Sequence, residues 1–79
     1  MKTKEHDLAL CVTHSLDRYF SDLDGEVPAN LYAMVIRQVE RPLLESVMAR
    51  VGGNQTQAAE MLGITRNTLR RKLTDHGLL

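Results

Sequence analysis

The sequence predicts an all-α protein with four helices, of which the last two form a helix-turn-helix. Three observations favour this fold class. Apolar residues recur every three or four positions along most of the chain, no four-residue alternation typical of a β-strand is present, and two short helical segments near the C-terminus are separated by Gly63. A chain of 79 residues is long enough for one small domain, and a second copy is one common way to stabilise so modest a core.

The first helix is predicted over about residues 7–22. Its apolar residues are spaced by three or four positions and form a stripe along one face. These residues are Leu8, Val12, Leu16, Tyr19, Phe20 and Leu23. Asp7 is expected to cap the N-terminus of this helix. Gly25 is expected to end it, because glycine adopts the left-handed conformation without strain.

The second helix is predicted over about residues 29–51, with Pro28 suited to its first turn and a kink at Pro42. Apolar residues surround so much of this helix that it needs neighbours on several sides, more than one short chain supplies. Residues 1–53 are therefore predicted to form the dimerisation region of a homodimer. The expected dimer core consists of Leu16, Tyr19, Phe20, Val35, Val39, Leu43 and Val47.

Residues 54–79 are predicted to form the helix-turn-helix region, with the motif itself over about residues 55–74. Asn54 is a suitable N-cap for the short third helix, and Gly63 allows the backbone to turn with positive φ after that helix. Thr65 then serves as the N-cap of the fourth helix. The spacing of alanine, glycine and apolar residues around this turn is moderately specific for the motif.

Charge is distributed unevenly along a chain whose 10 basic and 10 acidic residues cancel. Residues 1–53 hold six basic and eight acidic residues, a net −2, whereas residues 54–79 hold four basic and two acidic residues, a net +2. All four of those basic residues lie between Arg66 and Lys72. Such a basic run is often only a solvated helix face, but within a helix-turn-helix it indicates a nucleic-acid site.

Other classes of site find little support in the sequence. A single cysteine, Cys11, excludes an intramolecular disulfide and is consistent with a reduced compartment. No histidine and cysteine spacing typical of a metal site, no glycine-rich phosphate loop, no signal peptide and no membrane-length apolar run is present. We therefore expect neither an enzyme nor a metal, cofactor, small-molecule ligand or membrane.

The run GNQTQAAEMLGITRNTLRRKL, residues 53–73, resembles the C-terminal helix-turn-helix of the Fis family of bacterial nucleoid-associated proteins. The segments RYFSDLDG, LYAMVIRQVERPLLESVM and HGLL resemble its remaining helices, so that the resemblance covers about residues 8–79. It implies a homodimer in which the first two helices of each subunit intertwine and the last two bind DNA. It also implies recognition helices closer than one turn of straight DNA, hence DNA bending and largely indirect readout.

The resemblance also implies which residues contact DNA. Asn54 and Thr56 match backbone-contacting positions, and Arg66 matches the principal base-contacting arginine. Charge, hydrogen-bonding capacity and the resemblance together define the expected set. This set is Asn54, Thr56, Gln57, Thr65, Arg66, Asn67, Thr68, Arg70, Arg71 and Lys72.

Four positions depart from the best-known members of that family. Gln57 stands in place of a basic residue, Thr74 and Asp75 replace lysines, and Asn67 replaces a glycine. The changes at Gln57, Thr74 and Asp75 narrow the basic patch and predict gentler non-specific binding to DNA, whereas Asn67 adds a side chain near the bases. Only about seven residues precede the first predicted helix, where longer members carry a β-hairpin arm that contacts DNA invertases. A role in site-specific recombination is therefore not expected.

The sequence thus predicts a homodimeric protein that binds and bends double-stranded DNA, as a transcriptional regulator and nucleoid organiser in the cytoplasm. RNA polymerase is a candidate partner. One alternative is a Fis-type DNA-binding module of a response regulator or enhancer-binding activator, although the short N-terminus and Met1 favour a free-standing protein. A further alternative is a helical interaction protein that does not bind DNA. The target sites, the regulon and the direction of regulation are not predicted.

Overall fold

A computed structural model describes the backbone of residues 4–79 and the side chains of residues 7–79. This part of the chain contains four α-helices and no strand, which confirms the all-α class. The helices are α1 (Lys4–Leu23), α2 (Leu31–Arg50), α3 (Gln55–Leu62) and α4 (Arg66–Asp75). None of the four combines the length and the apolar character that crossing a bilayer requires. The chain divides into two compact units, one ending at Asn30 and one spanning Leu31–Leu79.

In the first unit, α1 begins at Lys4, so Asp7 lies inside the helix and is not its N-cap. The residues before Asp7 include neither glycine nor proline and allow the helix to extend by about one turn. At the other end, Asp24 already has a φ of 54° and Gly25 follows with a φ of 89°. The predicted left-handed turn is therefore present, and it starts one residue earlier because aspartate tolerates this conformation better than most residues.

The predicted apolar stripe of α1 remains largely accessible. Leu8 is 67% exposed and Phe20 is 45% exposed, whereas Leu16 and Tyr19 are partly buried. The rings of Tyr19 and Phe20 pack against each other with centroids 5.9 Å apart, tilted by 56°. This helix therefore presents aromatic and aliphatic surface that the described chain leaves uncovered.

The second unit begins with α2 at Leu31, so Pro28 precedes the helix and does not lie in its first turn. Asn30 has a φ of 58°, a left-handed conformation that no residue of an α-helix has, and the helix therefore cannot start earlier. The helix continues through Pro42, as predicted for a proline that disturbs a helix without ending it. Pro42 has no backbone N–H, which leaves the carbonyl of Gln38 without its helical donor.

A left-handed glycine closes α2. Gly52 has a φ of 62°, and the N–H of Gly53 donates to the carbonyl of Met48 at 3.0 Å. This pairing of a left-handed residue with a hydrogen bond back to the last turn satisfies helix-terminal carbonyls. It turns the chain directly into the N-cap of α3.

The core of the second unit is shared by all three of its helices. It consists of Leu44, Ala58, Ala59, Leu69 and Leu73, with Val47, Met48, Val51, Leu62, Ile64 and Leu78 packed around it. Leu44, Leu69 and Leu73 are at most 1% exposed, and each such leucine typically contributes about 2–5 kcal/mol relative to alanine. Val47, expected in a dimer core, packs instead against this core because α3 lies against α2.

Candidate nucleic-acid interface

The turn between α3 and α4 is built around Gly63. This glycine has a φ of 78°, and its N–H donates to the carbonyl of Ala59 at 2.9 Å. The next amide, of Ile64, donates to the same carbonyl at 3.1 Å, and the Ile64 side chain packs against the core. The glycine turn predicted from the sequence is present, and together with the packing of Ile64 it sets the start of α4.

Side-chain caps start both helices of the motif. The Asn54 carboxamide oxygen accepts the N–H of Gln57 at 3.1 Å, and the Thr65 hydroxyl oxygen accepts the N–H of Thr68 at 3.1 Å. The hydroxyls of Thr65 and Thr68 are also hydrogen-bonded to each other, at 3.0 Å. Both predicted N-caps are confirmed, and the first turn of α4 is held rigidly at the end where a recognition helix meets DNA.

One face of α4 is buried and the opposite face is exposed. Leu69 and Leu73, four positions apart on this helix, point into the core. The exposed residues of α4 are Arg66, Asn67, Arg70, Arg71, Thr74 and Asp75. Within the unit Leu31–Leu79, none of the three arginines forms an ion pair. Their positive charges are therefore available to an anionic ligand.

Arg70 has a neighbour that the sequence did not suggest. Its Nη1 donates to the Oε1 of Gln55 at 3.3 Å, a contact between the first residue of α3 and the middle of α4. Gln55 is partly buried, whereas Thr56 and Gln57 beside it are exposed. The amide of Gln55 restricts the Arg70 guanidinium while leaving its other donors free. Local patterns give no signal for a contact between residues so far apart in sequence.

Lys72, predicted to contact DNA, is engaged by α2. Its Nζ lies 2.7 Å from the Oε2 of Glu40, and the two side chains are 33% and 22% exposed. Lys72 thus lies on the side of α4 that faces α2, away from the face that carries the three exposed arginines. Its charge is paired with that of Glu40. The basic face of α4 is correspondingly narrower than the run of basic residues in the sequence.

Glu40 also binds His76, and this contact was not predicted. The Nε2 of His76 lies 2.9 Å from the Oε1 of Glu40, and His76 is only 4% exposed. The hydrogen bond from Lys72, followed by that from His76, lowers the pKa of Glu40 below its ordinary value of 4.5, against the opposing effect of its burial.

Two arginines of α2 complete the contact with the end of α4. The Nη2 of Arg37 donates to the carbonyl of Asp75 at 3.0 Å, and the Nη1 of Arg41 donates to the carbonyl of His76. These carbonyls belong to the last turn of α4, where helix geometry leaves them without a backbone donor. Arg41 also pairs with Glu45 of its own helix at 3.4 Å.

The sequence of this chain matches those of known DNA-associated proteins. Residues 35–76 match the family described as bacterial regulatory protein, Fis family. A protein of Ralstonia nicotianae, named as Fis-like and DNA-binding, is 59% identical over 69 residues, which cover 87% of this chain and 90% of that protein. A protein of Neisseria meningitidis with the same description is 53% identical, over 92% of each chain. The DNA-binding protein Fis of Actinobacillus succinogenes is 49% identical, over 85% of this chain and 68% of its own length.

Proposed function

This chain belongs to the Fis family of bacterial regulatory proteins, and from that membership we propose that it binds and bends double-stranded DNA as a homodimer. The main structural support is the exposed face of α4, which carries three arginines without an ion pair in their own unit. A helix-turn-helix presents such a face to the major groove. The names of the relatives point to the same ligand. The family is one of regulators, in line with the expectation that the protein is not an enzyme.

Within this proposal, Arg66 contacts base edges, because it occupies the first turn of α4 and its guanidinium fits guanine O6 and N7. The remaining contacts hold phosphates and fix the position of the helix. They are assigned to Asn54, Thr56, Gln57, Thr65, Asn67, Thr68, Arg70 and Arg71, most of which are exposed. Lys72, which Glu40 engages, is assigned to the fold and not to DNA.

The exposed apolar surface of α2 supports the homodimer. Tyr32, Ile36, Val39 and Leu43 follow one another at helical spacing and are 80%, 42%, 45% and 47% exposed. The neighbouring face of the same helix packs against α3 and α4 through Leu44 and the apolar residues next to it. A stripe of this kind on a small protein marks an interaction surface. We assign it, with Val35 and the Leu16, Tyr19 and Phe20 side of α1, to the partner subunit.

The family membership is the support for the bending and regulation parts of the proposal. Two recognition helices set close together on a dimer require curved DNA, so the cost of deforming each sequence contributes to site selection. On this basis we place the protein at the nucleoid, as an organiser of DNA and a transcriptional regulator, with RNA polymerase as a candidate contact.

A band-shift assay at low salt, with duplexes that have an AT-rich centre, tests the proposal. Wild-type protein should shift these duplexes, and combined Arg66→Ala and Arg70→Ala should weaken binding by at least about tenfold, since one good arginine-base contact contributes about 1–3 kcal/mol. The matched control is Arg18→Ala, which removes an exposed arginine from α1 and should leave binding unchanged. Absence of wild-type binding, or equal binding by the double variant, would contradict DNA recognition by this face. Circularly permuted duplexes measure the bend in the same assay.

A further inference from the structure

We propose that Glu40 and His76 form an anchoring pair that fixes the angle between α2 and α4 and thereby positions the recognition helix on DNA. This inference rests on the proposed function, because it concerns how α4 is presented to a DNA ligand. Neither residue is assigned to the DNA surface itself. They act through α4 and are positioning residues.

The geometry of the Glu40 carboxylate carries the inference. Its Oε1 lies 2.9 Å from the Nε2 of His76, and its Oε2 lies 2.7 Å from the Nζ of Lys72. One carboxylate of α2 thus binds Lys72 of α4 and His76, the C-cap residue of α4, which are four positions and about one turn apart. His76 is 4% exposed, so its bond to Glu40 is shielded from competing water.

Backbone contacts hold the same end of α4. Arg37 and Arg41 donate to the carbonyls of Asp75 and His76. Together with Glu40, these arginines occupy positions i, i+3 and i+4 of α2 and therefore lie on one face. Apolar contacts in the core are non-directional, whereas hydrogen bonds depend strongly on angle. The polar contacts therefore restrict the angle between α2 and α4 further than the apolar packing of the core does.

A small change in this angle would move the DNA-facing end of α4 appreciably. A helix of 10 residues is about 15 Å long, so a tilt of about 10° at its C-terminal end displaces its N-terminal end by about 2.6 Å. This displacement approaches the rise of about 3.4 Å per base pair. Because α2 also carries the proposed dimer surface, the angle between α2 and α4 sets the distance between the two recognition helices.

Binding to a series of duplexes whose half-site separation changes in steps of one base pair tests the anchoring pair. Glu40→Gln and His76→Leu disrupt the pair, whereas His76→Gln retains a neutral hydrogen-bond donor. Glu60→Gln is the matched control, because it makes the same change in the same unit at an exposed carboxylate of α3. Circular dichroism at the assay temperature verifies that each variant is folded.

We expect wild type, Glu60→Gln and His76→Gln to prefer one separation by about tenfold over its neighbours. For Glu40→Gln and His76→Leu this preference should fall below about threefold, because α4 samples a wider range of angles. A preference unchanged from wild type in both disrupted variants, even with uniformly weaker binding, would overturn the positioning role. A His76→Gln variant that loses the separation preference as His76→Leu does would also overturn the positioning role. The comparison of these two His76 variants remains a test even if Glu40→Gln does not fold.

The same series separates this inference from the proposed function. A wild-type protein that binds none of the duplexes would contradict the proposed function. A wild-type protein that binds with a sharp separation preference, which Glu40→Gln and His76→Leu share, would leave the proposed function intact and overturn the anchoring pair alone.

Discussion

At the residue scale, the candidate interface depends on which cations the chain engages internally and which it leaves exposed. Arg66 and Arg71 have no ion-pair partner in the unit Leu31–Leu79, and Arg70 is held by the neutral amide of Gln55. Lys72, next in sequence, is bound by Glu40. Adjacent basic residues therefore have different roles, because successive positions of a helix face different directions.

Replacing Thr65 with alanine should destabilise the protein by about 1 kcal/mol, because the Thr68 N–H loses the hydroxyl oxygen that caps α4. Urea unfolding measures this change through the midpoint of the transition. Thr65→Ser keeps the capping oxygen and should stay within about 0.5 kcal/mol of wild type. Thr74→Ala, at an exposed position that caps nothing, should also have little effect. Equal destabilisation by the serine and alanine variants would argue against the cap.

The ionisation of the Glu40 carboxyl makes the free energy of unfolding depend on pH. Its pKa is lowered in the folded protein by the hydrogen bonds from Lys72 and His76, while the unfolded chain has the ordinary value of 4.5. The ionised carboxylate therefore contributes stability above about pH 4.5, and this contribution is lost as the pH falls through the lowered pKa of the folded state. Unfolding midpoints measured between pH 3 and 7 should decline toward acid.

Glu40→Gln tests the origin of that decline. Glutamine cannot ionise, so this variant should be less stable than wild type at pH 7 and should lose less stability on acidification. Gln38→Ala, which changes an exposed residue of the same helix that does not ionise, should follow the wild-type profile. A Glu40→Gln profile parallel to that of wild type would contradict the assignment.

At the scale of elements, α4 joins two surfaces that differ in chemistry. Its arginine face is exposed, while Leu69, Leu73, Lys72 and His76 face the rest of the unit. The helix is short, so its orientation depends on its contacts and not on its own stability. The orientation of the candidate nucleic-acid interface therefore depends on α2 as well as on α3 and α4, because α2 contributes Leu44 and the polar contacts at the end of α4.

The division of charge along α4 predicts the salt dependence of DNA binding. With three arginines per subunit on phosphates or bases, a dimer neutralises about six charges, and log Kobs should fall against log salt with a slope of about −5. Arg71→Gln should reduce the magnitude of this slope to about 4, whereas Lys72→Gln should leave it near 5. Titrations at a series of salt concentrations measure both slopes. Equal losses in the two variants would place Lys72 on the DNA surface after all.

At the scale of the whole molecule, α2 has two apolar faces. One, around Leu44, closes the core of the second unit, and the neighbouring face leaves Ile36, Val39 and Leu43 substantially exposed. Together the two faces account for the unusual breadth of the apolar pattern of this helix in the sequence. The proposed dimer would bury the exposed face and thereby add to the stability of a small domain.

A charge placed in the exposed stripe should therefore dissociate the proposed dimer. Analytical ultracentrifugation at about 10 μM should show a dimer for wild type and mostly monomer for Val39→Asp combined with Leu43→Asp, because an unpaired buried charge is strongly unfavourable. Met61→Asp is the control, since Met61 of α3 is 57% exposed and lies outside the stripe. A monomeric wild-type protein, or a dimer that tolerates both aspartates, would contradict the assignment of this face.

Local patterns in the sequence determined the helices of this protein, their N-caps and the turn between α3 and α4. The four helices, the N-caps at Asn54 and Thr65 and the turn at Gly63 depend on contacts between residues at most five positions apart. Exposure of the arginines also followed from helical periodicity, because it is set by the buried positions of Leu69 and Leu73. The predicted starts of α1 and α2, with Asp7 as an N-cap and Pro28 in a first turn, differ from the observed starts. Several neighbouring residues are compatible with each start, and the local sequence does not decide between them.

Only the tertiary structure decided which polar side chains far apart in sequence are hydrogen-bonded to each other. Lys72 and His76 meet Glu40 across 32 and 36 residues, and Arg70 meets Gln55 across 15. Packing likewise turned Val47 toward the core of its own chain. Periodicity specifies which side of a helix is buried but not which neighbour covers it. The partner of each charge is therefore set by the angle at which helices pack, and that angle depends on all of the side chains at the interface together.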